Sequence, residues 1–274
     1  MIKAIAFLLA IIVIIVLIWL MPTLTWIRRQ TIKDKPFPSH WLAIIKQNIP
    51  IYFYLREPLQ KRLQGHVNVI LAEKQFVGCG GLQITDEIKL TIAAIASLLL
   101  LNERGEYYPK LCSILVYPST YVAKQIQHVG NYVVEETKVA RLGESWSRDR
   151  IVLSWEQIER DIHNWNDGHN VILHEFAHQL DAENGTANGV PILKQQSDYI
   201  AWALVFREEY QKLRKNVERG LKTVIDPYGT INPAEFFAVA TETFFEKSKP
   251  MALHHPALYN QLKRYYKLDP VEWI

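Results

Sequence analysis

The run His174-Glu175-Phe176-Ala177-His178 constrains this chain more than any other. It follows the apolar stretch Val171-Ile172-Leu173 and precedes Leu180, so it reads as helix, and on a helix positions i and i+4 stack on one face a turn apart. Two imidazoles so placed grip one metal ion, and the glutamate falls beside the ion's water. Polar Asn164 to Gly168 leads in, with Asp167 as the expected N-cap, and Asn184-Gly185 supplies the stop. Leu173, Phe176, Ala177 and Leu180 give a core-facing side, while His174, His178 and Asp181 share another stripe. The competing reading is a pair of buried histidines satisfied by backbone carbonyls.

A catalytic zinc takes three protein ligands and keeps one position for water, so a further ligand is needed. Asp181 lies on the histidine stripe, but one straight helix would have to converge three ligands over two turns; support of a histidine suits it better. Glu183 points elsewhere, and Asp181 occupies the glycine position of H-E-x-x-H-x-x-G-x-x-H, which excludes that class. The better candidate lies in Asn232-Pro233-Ala234-Glu235, which opens a strongly apolar helix with Asn232 as cap and Pro233 in its first turn. Glu235 and Glu242 share a face of that helix, and carboxylates among Phe, Ala and Val are costly unless paired or bound to a cation. Glu235 has a second possible role, closing a capping box with Asn232.

The run H-E-F-A-H-Q-L-D, with D-P-Y-x-x-x-x-P-A-E-F-F-A downstream, resembles the Mlc titration factor A family of bacterial zinc-dependent peptidases, whose catalytic core is similar to that of anthrax lethal factor. Leu71 to Val77, Thr85-Asp86-Glu87, Val116-Tyr117-Pro118, Gly143 to Trp146 and Val152 to Trp155 extend the likeness over most of residues 40–270. The resemblance implies a zincin-like metallopeptidase domain with one zinc per chain, His174, His178 and Glu235 as ligands and Glu175 as catalytic base. It also implies Tyr228 near the metal, and Asp181 and Glu242 as supporting residues.

The N-terminus departs from that soluble family. From Ala4 to Met21 the chain reads AIAFLLAIIVIIVLIWLM without a charge, long enough as a helix to cross a hydrocarbon core of about 30 Å. Trp19 and Trp26 suit an interface, and Met21-Pro22-Thr23 makes a poor signal-peptide cleavage site, which favours an uncleaved anchor. Lys3 precedes the run, whereas Arg28, Arg29, Lys33 and Lys35 follow it, so the positive-inside rule places the rest of the chain in the cytoplasm. The expected organisation is an anchor and basic flank over residues 1–30 and a metallopeptidase domain over residues 31–274, single-pass in the cytoplasmic membrane.

The fold expectation is α+β, mainly helical with a small sheet. Helices fit residues 40–49, 57–75 and 86–101, the last apolar nearly all round and therefore central; others fit 197–217, the Glu235 segment and the C-terminus. Strands fit 111–117, 131–134 and 150–155. Strand 150–155, just ahead of the motif helix, has the option of aligning an extended peptide along an exposed edge, or of being an ordinary covered strand. A net charge of +3 over 274 residues is too small to suggest nucleic acid. Cys79 and Cys112 form neither a disulfide framework nor a metal spacing. His254 and His255 read as surface residues, and His163 and His169 as lesser ligand candidates.

The chemistry then follows from charge. Zinc on two imidazoles and a carboxylate lowers the pKa of its water from about 16 towards 7, and Glu175 takes the proton as the water attacks a peptide carbonyl. Tyr228 would donate to the developing oxyanion. The partner of such a site is a peptide or protein substrate. The alternative is a regulatory protein-binding module that keeps the zinc site, for instance one that sequesters a transcriptional repressor. Glu175 discriminates, because a purely structural site has no use for a base beside an open position.

Overall fold

The computed structural model describes residues 2–102, 106–119 and 149–273, without the side chains of residues 2–10, 12–14 and 16–18. Its centre is the helix the sequence marks as apolar all round. The Thr85 hydroxyl caps it by accepting from Ile88 N at 3.2 Å, and Asp86 and Glu87 suit the positive end of the helix dipole. From Leu90 to Leu98 every residue is buried. Two helices flank it, with Asn48 Nδ2 donating to Thr91 Oγ1 at 2.9 Å from one side and Arg62 donating to the Leu101 carbonyl from the other. We name the preceding elements α1 (Ile2–Lys33), α2 (Ser39–Asn48) and α3 (Glu57–Glu73), and the central helix α4 (Asp86–Leu98).

Beside them lies a three-stranded parallel sheet of β1 (Gln75–Gly78), β2 (Ser113–Tyr117) and β3 (Arg150–Ser154), in that spatial order. Gln75 faces Ser113 and Ser113 faces Arg150 across the ladder. Alternation does the rest: Ile114 and Val116 on β2, with Ile151 and Leu153 on β3, turn into the core. β1 is absent from the sequence expectation, which ran α3 to residue 75; the helix in fact ends at Glu73 and the chain pairs at once. The expected strand 131–134 and the run Gly143 to Trp146 lie outside the described residues. β3 terminates the sheet among the described residues.

β3 runs directly into α5 (Trp155–His163), capped by Ser154, and after a short loop comes α6 (Val171–Asp181), which carries the histidine pair. Then follow α7 (Gln196–Glu218), α8 (Pro233–Glu246), α9 (Ser248–His254) and α10 (Pro256–Tyr266). α6 packs on α4 on one side and α8 on the other. α8 is seated by aromatics: Trp202 stacks on Phe206 at 4.0 Å with Phe236 and Phe237 packed against that pair, while Phe244 and Phe245 pack on Tyr266. His255, expected at the surface, is a correction: it is buried, with Nδ1 2.6 Å from Glu209 Oε2, because the kink between α9 and α10 turns it onto α7. The expected membrane run Ala4–Met21 falls within α1. Among the described residues no helix is long and apolar enough to cross a membrane, and most side chains of that run lie outside the description.

Candidate metal centre

The histidine helix is fixed at its start by a clasp of carboxylates. Asn170, and not Asp167, is the N-cap, its Oδ1 accepting from Leu173 N at 3.1 Å. Asp167 lies too far upstream and caps its own turn instead, accepting from His169 N at 2.9 Å. Around the cap, Asn170 N donates to Glu242 Oε2 at 2.6 Å, Val171 N to Asp161 Oδ2 at 2.8 Å and Gly168 N to Glu246 Oε2 at 3.1 Å. The Asn170 amide also donates to Glu246 Oε1 at 3.1 Å. Three acids thus take up backbone amides at and just before the positive end of α6. Burial, with the neighbouring acids adding to it, pushes Glu246 up to about 9, and burial raises Asp161 to about 6.

α8 brings a carboxylate to the histidine pair. Asn232 Oδ1 accepts from Ala234 N and Glu235 N at 2.9 and 3.0 Å, so the cap is satisfied without the Glu235 side chain. That carboxylate turns across to α6, with Oε2 3.1 Å from His174 Nε2 and 3.3 Å from His178 Nε2; the two Nε2 atoms are 3.1 Å apart. Of the two roles open to Glu235, its side chain faces the histidine pair. Glu242, two turns further along the same face, reaches the other ring nitrogen of His174 at 2.8 Å, which leaves Nε2 to face inward.

The electrostatics tell the same story. Burial works against charge on Glu235, yet hydrogen bonds from His174 and His178 outweigh it and bring the carboxyl down to about 2. Burial likewise pulls His174 down, but Glu235, Glu242 and the nearby Glu175 hold it well above its usual range. A pocket that favours a proton between two imidazoles and a carboxylate favours a cation in the same place. Among the described residues His174, His178 and Glu235 are the group able to hold a metal, their donor atoms all within 4.8 Å. Two imidazoles and one carboxylate make a donor set for a divalent first-row ion.

Asp181 is elsewhere engaged. Fully buried, it accepts from Gly189 N at 2.7 Å and so ties down the loop after α6. Neither lesser candidate reaches the centre: His163 Nδ1 lies against the Glu159 carbonyl, and His169 Nε2 pairs with Asp226 Oδ2 at 3.3 Å. Glu175 is half-buried beside the pair. Tyr228, 40% exposed, holds its ring 5.9 Å from that of His174. Its turn is set by Asp226, whose Oδ1 accepts from Tyr228 N at 2.6 Å, and by Gly229, where a Cβ would meet Val239 Cγ2 at 2.6 Å. The clasp of Asp161, Glu242 and Glu246 on α6 escaped sequence reasoning apart from Glu242. The available signal was Glu242 and Glu246, i and i+4 in an otherwise apolar helix.

The model of a known family, glucose-regulated metallo-peptidase M90, matches residues 23–267. An uncharacterised Synechocystis sp. protein, slr2042, is 46% identical over 260 residues, 94% of each chain. Mlc titration factor A of Yersinia pestis and that of Yersinia pseudotuberculosis are each 29% identical over 227 residues, 82% of this chain and 83% of theirs.

Proposed function

The chain belongs to the M90 metallo-peptidase family, and on that premise we propose that it is a membrane-anchored, zinc-dependent peptidase. The observation that carries the catalytic part is the convergence of His174, His178 and Glu235 with a glutamate, Glu175, beside the histidine pair. Zinc at that position supplies a Lewis acid and a water acidic enough to lose its proton near neutral pH. His174 presents Nε2 inward because Glu242 takes Nδ1, and Glu235 contributes the one negative charge of the donor set. Glu175 accepts the water's proton and returns it to the leaving amine. The Tyr228 hydroxyl donates to the oxyanion that forms on the peptide carbonyl, and its partial exposure leaves it reachable by substrate.

Support for the anchor comes from the uncharged run Ala4–Met21, from helical backbone that continues unbroken to Lys33, and from Trp19 and Trp26, 84% and 61% exposed. The Synechocystis relative matches 94% of this chain and so reaches into that run, ahead of the family model's start. In this reading the domain after the anchor is cytoplasmic. A second role rests on the name Mlc titration factor A, which suits a protein that binds another protein, and a chain similar to it has the same option. The test is Glu175→Gln on the zinc-loaded chain: metal should stay at one per chain while peptide hydrolysis falls by about two to four orders of magnitude. Unchanged hydrolysis would remove Glu175 as base, and no hydrolysis by the parent chain would leave the binding role.

A further inference from the structure

The last turns of α1 are bolted to the domain. Arg29 donates to both oxygens of Glu73 on α3 at 2.9 and 3.0 Å, and its guanidinium lies 4.9 Å over the ring of Tyr107. Lys33 lies over the same ring at 5.7 Å, Ile32 is buried, and α3 admits the helix at Gly65, where a Cβ would stand 3.3 Å from that of Lys33. An ordinary tether is flexible; a bidentate Arg pair with a stacked ring is not.

Tyr107 is followed by Tyr108, and the two consecutive side chains, each 1% exposed, face different helices. Tyr107 takes α1 and is itself held by His66 Nδ1 at 2.6 Å. Tyr108 packs edge-on against Phe176 of the histidine helix at 4.7 Å, between the two ligands in sequence. Tyr108 has φ of 51°, a left-handed conformation that a non-glycine residue adopts only when its surroundings hold it there. It is locked by Lys74, whose ammonium donates to the Tyr108 and Leu111 carbonyls at 2.7 Å each, and by its own hydroxyl on the Ala96 carbonyl at 2.6 Å. Two residues on, Lys110 reaches the Ala182 carbonyl just past the C-terminal end of α6 at 2.6 Å. One short strap therefore grips the anchor helix with its first residue and the metal helix with its second and fourth.

We propose that the strap Tyr107–Lys110 makes α1 and the metal helix one rigid body, so that the metal site stands at a fixed height above the bilayer and acts on polypeptides held at the membrane surface. The inference rests on the anchor reading above. Only about 12 Å of helix separate Met21, where the apolar run ends, from Arg29, where the domain grips it. The domain thus has little freedom to reach substrate that is not presented to it there.

A distance measurement tests this on the full chain in lipid nanodiscs. A nitroxide is placed by Met21→Cys, with Cys79→Ser and Cys112→Ser, and Cu²⁺ is loaded in the metal site for pulsed dipolar spectroscopy. The parent should give one narrow distance. Ten Gly/Ser residues inserted between Pro22 and Thr23 should spread it on the order of 17 Å, and Arg29→Ala with Tyr107→Ala should broaden it without such an insertion. A parent distribution as broad as that of the insertion variant overturns the proposal. A second arm tethers a randomised peptide pool to lipid in vesicles that carry the zinc-loaded chain, and reads the cuts by mass spectrometry. Cuts should cluster at one distance from the tether in the parent and scatter in the insertion variant; scattered cuts in the parent overturn the substrate class. Failure of the parent chain to float with vesicles removes the anchor reading and this one with it. No cuts in any arm refutes peptidase activity, and the distance distribution still decides the mounting.

Discussion

Glu246 is the acid whose burial has the largest calculable consequence. It is 2% exposed, accepts from Gly168 N and Asn170 Nδ2, and is raised to about 9 by burial together with Asp167, Glu242 and Asp161. Its ordinary value is 4.5, so between about pH 4.5 and 9 the folded chain holds a proton that the unfolded chain has released. The unfolded state therefore binds fewer protons, and stability contributed at this site declines as pH rises through that window. At 1.36 kcal/mol per pH unit the penalty is about 3 kcal/mol at pH 7. Glu246→Gln removes the titration and keeps one acceptor, at a cost of about 1 kcal/mol for the hydrogen bond lost at Gly168 or Asn170. The variant should therefore be less stable than the parent by about 1 kcal/mol at about pH 3.5, cross it at about pH 5, and exceed it by about 2 kcal/mol at pH 7. Urea titrations of the metal-free chain at a series of pH values, followed by tryptophan fluorescence, give the difference directly. A variant destabilised by the same amount at pH 5 and at pH 8 would show that Glu246 is ionised in the folded chain, and the reasoning would fail.

Asp181→Ala should leave zinc at one per chain, since the carboxylate serves Gly189 N and the loop after α6, but should lower thermal stability by about 1–3 kcal/mol; loss of the metal instead would make Asp181 a ligand. Tyr228→Phe should retain the metal and lower turnover by roughly tenfold to a thousandfold, read as kcat with little change in KM; unchanged kcat would take the hydroxyl out of the reaction. Gly229→Ala places a Cβ 2.6 Å from Val239 Cγ2, so it should lift the Tyr228 turn off α8, cost about 1–3 kcal/mol in a thermal melt, and reduce turnover as Tyr228→Phe does; a melt like the parent's would show that the turn has slack.

The pattern of what could be read ahead is itself physical. His174, His178 and the helix that bears them were legible because i, i+4 spacing fixes geometry within a single element. Glu235 was legible as a candidate because a carboxylate in an apolar helix demands a partner, yet whether it faces its own cap or the histidine pair needed α8 set against α6. The cap of α6 was misplaced by three residues since Asp167 and Asn170 are equally good N-cap types, and only the folded chain puts Glu242 and Glu246 beside Asn170. β1 was missed for a similar reason: four residues carry too little alternation, and pairing with β2 decides their state. His255 was read as surface because nothing in the local run predicts Glu209, forty-six residues earlier, as its partner. Tyr107 and Tyr108 escaped notice altogether, as their contacts to α1 and α6 are long-range and the backbone at Tyr108 is of a kind the sequence does not announce.

X-ray absorption at the zinc edge on the loaded chain bears most directly on the central claim. With His174, His178 and Glu235 as ligands, the first shell should fit nitrogen and oxygen scatterers only, at about 2.0–2.2 Å, with the multiple scattering of two imidazoles. Glu235→Ala should bind markedly less zinc, with one oxygen scatterer missing from whatever remains. A sulfur shell at about 2.3 Å, pointing to Cys79 or Cys112, or an unchanged spectrum at full zinc content in Glu235→Ala, would contradict the assignment of the site.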